Sequence, residues 1–417
     1  MRLRRTGGSP FMRAVATLMG GNAVAMAVPI LAAPVLGRLY DPTAYGALAQ
    51  YMAPAAVLAV LASLQFQHAI IAERTDRSAG QAAWLTLLGA IAGAVLTVAI
   101  VIALWRPLLA GSAAGEWFWL LPLTVAGAGV IAAGGFLANR HQRYGWMARL
   151  AIIHVLVTVA LSIALGFLGW GADGLLTGYF LGQLVQLAAH ISLLLDLRAT
   201  IMPWPGVARL RVLVRRHWKF AAFALPSEFS SQINMQLPVF ALSAMGADAT
   251  LGAFTRARQL VSMPVTVVGQ SVAQVFRREA AELHRKTGSC RPLMRRTALL
   301  LFAAGIGPCL LFTVFAPSLF SFYLGPAWRE AGDIAQILAP MLLLRVVVSP
   351  LTTVFFFTDN QALDLKLMIT SAVLMALSIG TGWILGGTAL SVIWAFALCY
   401  CAIYLIYMIA TFRVAGS

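Results

Sequence analysis

The sequence predicts an all-α polytopic membrane protein of about twelve transmembrane helices, arranged as two pseudo-symmetric lobes of six. Three observations carry that prediction. Of 417 residues, 60% are hydrophobic and only 11% are charged, whereas a soluble domain carries about a quarter charged residues. Apolar stretches of roughly 20 residues, enough to cross a hydrocarbon core about 30 Å thick, recur along the chain. The basic residues between them fall almost entirely on alternate connections. Hydrocarbon offers no water to backbone groups, so the stretches are expected to be α-helices.

In order, the spans are placed at 14–37, 44–66, 81–104, 117–138, 149–168, 174–195, 220–244, 251–276, 297–318, 332–357, 366–386 and 389–412. The first follows MRLRRTGGSPFMR, which has the basic flank of a signal peptide. Its apolar stretch is too long for a signal core and runs into a second span, so an uncleaved first helix is expected. The connections at 277–296 and 319–331 read as a basic loop and as the longest outer loop.

With the termini and every second connection on one side, that side receives the Lys and Arg residues with few exceptions. Arg38, Arg106 and Arg329 lie on the other side, and Arg256, Arg258 and Arg345 fall within spans. The positive-inside rule then places both termini in the cytoplasm. The net charge of +16 invites a nucleic-acid reading, but this alternation makes the charges topology signals, and no nucleic-acid partner is expected. Cys290, Cys309, Cys399 and Cys401 read as packed thiols, with no other metal ligands beside them.

The polar connection DLRATIMPWPGVARLRVLVRRHWK divides the spans evenly. It gives an N-terminal lobe at 1–195, a basic cytoplasmic linker at 196–219 and a C-terminal lobe at 220–417. Such a split suggests an internal repeat. YGALA at 45–49 echoes LGAFT at 251–255, and ALSIALGF at 160–167 echoes ALSIGTGW at 376–383. The similar offsets imply a parallel duplication with its axis along the membrane normal.

Charge inside the spans marks the candidate site, because an ionised group at the bilayer centre costs roughly 2.5–3.5 kcal/mol on insertion scales. Arg345 sits mid-span in ILAPMLLLRVVVSP and is read as a fixed cation for an anionic group, with a salt bridge to Glu228 as the structural alternative. Arg256 and Arg258 lie about 200° apart on one helix. One is expected to line the pathway, with Arg258 slightly favoured, and the other to snorkel. Glu228, Gln232 and Gln236 recur every four residues, and Asn234 widens the polar arc, so this helix should line an aqueous or protein interior. Glu228 is a candidate for pairing or for carrying a coupling proton. Asn22 is a candidate cavity polar group or close-packing device. His154 and His190 read as packed polar residues. Pro29, Pro34, Pro54, Pro122, Pro238, Pro264, Pro308, Pro340 and Pro350 are expected to bend spans. No phosphate-binding glycine loop, acid–histidine constellation or metal-ligand cluster is present in the sequence, so neither an enzyme nor a cofactor is expected.

Three segments carry a resemblance: GRLYDPTAYGALAQY, LGAFTRARQLVSMPVTVVGQSVAQVF and SFYLGPAWREAGDIAQILAPMLLLRVVVSPL. In order, they are similar to the first outer turn, the eighth helix and the ninth-to-tenth junction of the bacterial polysaccharide lipid flippases. These are the O-antigen and exopolysaccharide exporters of the multidrug/oligosaccharidyl-lipid/polysaccharide exporter superfamily. The resemblance implies two six-helix lobes around a central cavity. It implies alternating access that carries a polyprenyl-pyrophosphate-linked oligosaccharide to the outer leaflet, driven by an ion gradient (proton or sodium) or membrane potential. Under this reading Arg345, Arg258 or Arg256, and Arg38 at the outer mouth hold the pyrophosphate. Membrane lipid surrounds the tail, and a polysaccharide polymerase is a candidate partner. A multidrug extruder of the same superfamily is the alternative, disfavoured because the mid-span charges are arginines. A membrane-embedded glycan polymerase or transferase is disfavoured by the short outer loops.

Overall fold

The computed structural model describes residues 10–104, 111–198, 204–358 and 360–415. Arg2, Arg4, Arg5 and Arg106, read above as topology charges or their exceptions, lie outside them. Among the described residues the regular structure is helical. The helices are α1 (Pro10–Leu39), α2 (Pro42–Ser63), α3 (Gln67–Ala72), α4 (Asp76–Leu104), α5 (Leu121–Arg140), α6 (Tyr144–Phe167) and α7 (Gly171–Asp196). Then follow α8 (Gly206–Lys219), α9 (Leu225–Ala244), α10 (Asp248–Thr287), α11 (Arg291–Leu324), α12 (Arg329–Leu351), α13 (Val354–Phe357), α14 (Gln361–Gly386) and α15 (Ala389–Val414).

Ten helical segments among the described residues are long and apolar enough to cross a membrane, and the chain is a multi-pass membrane protein. The seventh and eighth expected spans are the helices α9 and α10, which fall short on apolarity. Their polar residues, among them Glu228, Gln232, Asn234, Arg256 and Arg258, lower the average. Large apolar side chains such as Leu31, Phe322 and Ile384 are exposed, which suits a lipid surround.

The chain forms two compact units. One comprises residues 1–40 and 51–229, and the other comprises residues 41–50 and 230–417. In the first unit, α1 packs on α6, α6 on α7, α7 on α5 and α5 on α4. Small residues permit these approaches, with Gly21 against Ala148 and Gly129 against Ala90, as membrane helix packing favours. Arg140 ties α3 to α4: its Nε donates to Asp76 at 2.8 Å, and its Nη1 donates to the Ile70 and Glu73 carbonyls at 2.9 and 2.7 Å. A cation at these carbonyls satisfies groups that the short helix leaves open.

In the second unit, α12 packs against α10, α11 and α15, and α15 packs against α14. The Tyr-Asp-Pro turn that precedes α2 is a helix start. Asp41 Oδ1 accepts from the Ala44 N–H at 2.8 Å and from Thr43 Oγ1 at 2.7 Å. Pro42 occupies the first helical position, where its missing N–H costs nothing.

The structure revises several expectations. Residues 277–296 are mostly helix: α10 runs for 40 residues to Thr287, and α11 begins at Arg291. At 1.5 Å per residue α10 is about 60 Å long, well beyond a hydrocarbon core. The connection 319–331 is likewise shortened, because α11 continues to Leu324 and a 3-10 turn covers Pro326–Trp328. The linker region contains the helix α8. Pro122 sits at the start of α5, where it bends nothing, and the tenth span breaks at Thr352, after Pro350.

Candidate functional site

The second unit concentrates the intramembrane charge. Arg258 lies on α10, about 15 Å along from its start. Its Nη1 donates to the Met235 carbonyl of α9 at 2.7 Å, and its guanidinium lies 5.2 Å from the Phe254 ring centroid. Pro238, inside α9, lacks the N–H that would bond the Asn234 carbonyl four residues back, next to the Met235 carbonyl that Arg258 meets. Arg258 and Arg345 are within electrostatic reach of each other, and both act on Tyr400. Arg345 also acts on Tyr404. Among the described residues neither arginine takes part in an ion pair.

An aromatic ladder runs beside these two cations. On α15, Phe396, Tyr400 and Tyr404 recur every four residues and so share a face. Their ring centroids are 4.9 and 5.6 Å apart in sequence order, and Phe254 of α10 meets Phe396 edge-on at 5.5 Å. Phe254 and Arg258 are themselves four residues apart. One face of α10 therefore presents a ring and a cation to the α15 ladder. The sequence reading missed this ladder, although its four-residue spacing was available.

Arg256 points elsewhere, as a two-residue step on a helix requires. It is only 5% exposed, and its guanidinium lies 4.8 Å from the Tyr45 ring centroid. Nη1 donates to Gln259 at 3.0 Å, while Nε and Nη2 are buried with no hydrogen-bond partner among the described residues. The expectation that one of the pair snorkels is corrected. Arg256 is held inside the unit by Tyr45, which in turn packs edge-on against the fully buried Trp328 at 5.1 Å.

The remaining candidates are spread out. Asn234 is buried, and its Nδ2 donates to Ser371 of α14 at 3.4 Å. Gln232 and Gln236 are half-buried on the same helix. Glu228 and Asn22 belong to the first unit and are exposed. The electrostatic influence of Glu228 reaches His68. Arg38, also of the first unit and exposed, donates through Nη1 to its own helix carbonyl at Pro34, at 2.8 Å. The structure thus brings Arg258 and Arg345 together in one unit and sets Arg256 apart from them. His190 is packed, with Nδ1 2.8 Å from the Gln186 carbonyl and its ring edge-on to Trp146. Among the described residues no group of three His, Cys, Asp or Glu side chains is placed to hold a metal ion.

Comparison with solved structures places the fold. An inward-facing multidrug resistance MATE family transporter of the MOP superfamily superposes with a TM-score of 0.68 at 16% identity, over 96% of this chain and 98% of that one. The lipid II flippase MurJ in an inward closed conformation gives 0.66 at 14% identity, over 97% and 90%. A MOP superfamily transporter from Pyrococcus furiosus gives 0.54 at 17% identity, over 97% and 96%. Among curated protein sequences nothing matches. The family model described as "Polysaccharide biosynthesis protein" matches residues 35–333. That match covers most of the chain and spans the Asp41 turn, Arg256 and Arg258: the protein belongs to this polysaccharide biosynthesis family and has the MATE- and MurJ-like fold.

Proposed function

We propose that the protein is a flippase that carries a polyprenyl-pyrophosphate-linked oligosaccharide from the inner to the outer leaflet of a bacterial cytoplasmic membrane, for surface polysaccharide (O-antigen, capsule or exopolysaccharide) synthesis. Transport proceeds by alternating access of the two halves, 1–195 and 220–417, with both termini in the cytoplasm. A proton or sodium gradient or the membrane potential supplies the drive. The observation that carries this reading is that the intramembrane cations Arg258 and Arg345 lie within electrostatic reach of each other and of Tyr400. Two like charges held together in a low-dielectric setting repel each other. A dianion such as pyrophosphate converts that repulsion into charge-assisted hydrogen bonds, and guanidinium geometry suits its oxygens. A sugar ring next to the pyrophosphate finds Tyr400 and Tyr404 within the same cluster. A cationic drug finds the wrong sign of charge there.

The test is translocation of a labelled polyprenyl-pyrophosphate oligosaccharide in proteoliposomes, wild type against Arg345→Ala. Transport by the wild type that falls at least tenfold in a normally folded variant supports the reading. Equal transport reduces Arg345 to scaffold. Failure of the wild type with several glycans, together with export of organic cations, would favour the multidrug reading instead.

A further inference from the structure

Helix α8 carries charge and apolar surface that the proposed transport site does not use. Its buried face is Leu210, Leu213 and His217. The two leucines cluster with Phe66 and Leu85 of the first unit, and His217 Nε2 lies 2.7 Å from the nearly inaccessible Glu73 carboxylate. Arg216 also reaches Glu73 at 3.3 Å, and Arg209 Nε donates to Gln81 at 3.0 Å. One face of the helix is therefore docked on protein.

The adjacent face is not. Val207, Val214 and Trp218 recur at seven- and four-residue steps, which puts them on one stripe, and they are 65%, 40% and 49% exposed. Arg211, Arg215 and Lys219 run beside that stripe at four-residue steps, exposed, and among the described residues no hydrogen bond or ion pair holds them. The helix contains no Asp or Glu. Trp204, half exposed just before the helix, meets Trp84 of α4 edge-on at 5.1 Å. Trp204 and Trp84 thus meet at the start of the helix and Trp218 lies near its end, and amphipathic rings of this kind favour the level of lipid headgroups. Lys219 leads through the π-helical stretch Phe220–Ala224 into α9, the expected seventh span, so α8 lies where the chain reaches the membrane surface. The charge asymmetry assigns that surface to the cytoplasm, whose leaflet is the anionic one in general.

We propose that α8 is an anionic-phospholipid site. The Val207, Val214 and Trp218 stripe lies in the boundary between headgroups and acyl chains, and Arg211, Arg215 and Lys219 bind phosphate oxygens of phosphatidylglycerol-type lipids. Apolar area and positive charge on adjoining faces are the two terms that bind a helix to such a surface. A solvated polar helix would carry the charge without the stripe. An ordinary protein interface would carry the stripe without three neighbouring cations.

The full chain is reconstituted in nanodiscs of mixed phosphatidylglycerol and phosphatidylcholine. Retained lipids are then counted by native mass spectrometry, for wild type, Arg211→Gln/Arg215→Gln and Arg211→Lys/Arg215→Lys. A basic residue near an anionic surface contributes about 1 kcal/mol, which corresponds to roughly a five-fold change in affinity per arginine. Preferential retention of phosphatidylglycerol should therefore fall by an order of magnitude or more in the Gln variant and persist in the Lys variant. A nitroxide at Val214→Cys, in a background without native cysteines, should be reached by oxygen but not by a water-soluble nickel chelate. Equal retention in wild type and the Gln variant overturns the lipid site. So does free nickel access at Val214→Cys matching that at an exposed Glu282→Cys. None of these substitutions touches Leu210, Leu213 or His217, so the docked face remains as an internal check on folding.

Discussion

Gly46 and Gly252 cross backbone to backbone with reciprocal geometry. A Cβ added to Gly46 would lie on the Asp248 carbonyl oxygen, and one added to Gly252 would lie on the Pro42 carbonyl oxygen. The YGALA and LGAFT motifs pair Gly46 with Gly252, and the same offset pairs Pro42 with Asp248. Each glycine therefore meets the carbonyl four residues before its counterpart in the other motif. Gln50 adds a side-chain hydrogen bond to Asp248 at the same crossing.

Neither carbonyl is the movable end of a side chain, so Gly46→Ala and Gly252→Ala must push the helices apart. Overpacking of this kind costs typically 1–3 kcal/mol. Thermal unfolding in detergent should show a clear loss for both variants. Gly307→Ala, where a Cβ meets nothing within 4 Å, should be neutral or slightly stabilising through helix propensity. Equal behaviour of all three would remove the crossing as a structural determinant.

The Asp41 cap gives a second prediction. Asp41→Ala removes the acceptor for the Ala44 N–H and should cost about 0.5–2 kcal/mol, whereas Asp41→Asn should retain most of the stability. Arg38→Ala, beside it in sequence, removes an exposed guanidinium bonded to its own helix and should leave the unfolding temperature within error. Chemical denaturation of the three variants separates the cap from its neighbour.

The docking of α8 depends on Glu73. Glu73→Ala leaves His217 Nε2 and Arg216 without their acceptor, and an orphaned buried polar group costs roughly 1–3 kcal/mol. The helix should detach locally before the unit unfolds. Trypsin should then cut at Arg209, Arg211, Arg215 and Arg216 several-fold faster than in the wild type, with the spans intact. An unchanged cleavage rate would mean that Leu210 and Leu213 alone hold the helix.

Cys290 lies in the turn between α10 and α11, packed with Phe276, Met294, Leu351 and Phe355. Burial pushes its thiol above the ordinary range, and the thiolate is the reactive form. A raised pKa means less thiolate at any given pH, so maleimide modification of Cys290 should stay slow through neutral pH and rise only above the range of a free thiol, about 8.5. Peptide mapping against an introduced, exposed Glu282→Cys provides the comparison. Modification at equal rates near neutrality would contradict the buried placement.

Helix positions were readable wherever hydropathy alone decides them, as for α4, α6 and α15. They were misread where polar sequence was equated with loop. FRREAAELHRK continues α10 because Ala, Glu, Arg and Lys are strong helix formers, and Glu282 and Lys286 add a pair at 2.7 Å one turn apart. Helix α8 hid for the same reason. At the site, Arg345 was readable as a mid-span charge because its cost demands a use. The split between Arg256 and Arg258 was not, since two residues on one helix fix a relative angle and leave the rotation of the helix undetermined. Phe396, Tyr400 and Tyr404 escaped notice because aromatic rings on an apolar helix can face lipid as readily as a neighbouring helix, and spacing alone does not say which. Only the packing of Phe254 on Phe396 assigns this stripe to the interior of the unit.

The Arg258–Arg345 relationship gives the last prediction. If the two guanidiniums hold one dianion, removing either releases most of the binding, and removing the second adds little. Each of Arg258→Gln and Arg345→Gln should lower lipid-linked oligosaccharide transport at least tenfold, and the double variant should lie well above the product of the two effects. Groups that share a partner couple by about 0.5–3 kcal/mol in such a cycle, whereas independent sites add. Lys at either position should restore charge but lose the paired geometry, giving intermediate rates. Strict additivity would mean that the two cations act at separate places along the path. Loss with Arg258→Gln alone would assign that residue to holding α9 through Met235, a role that the variant's unfolding temperature would reveal.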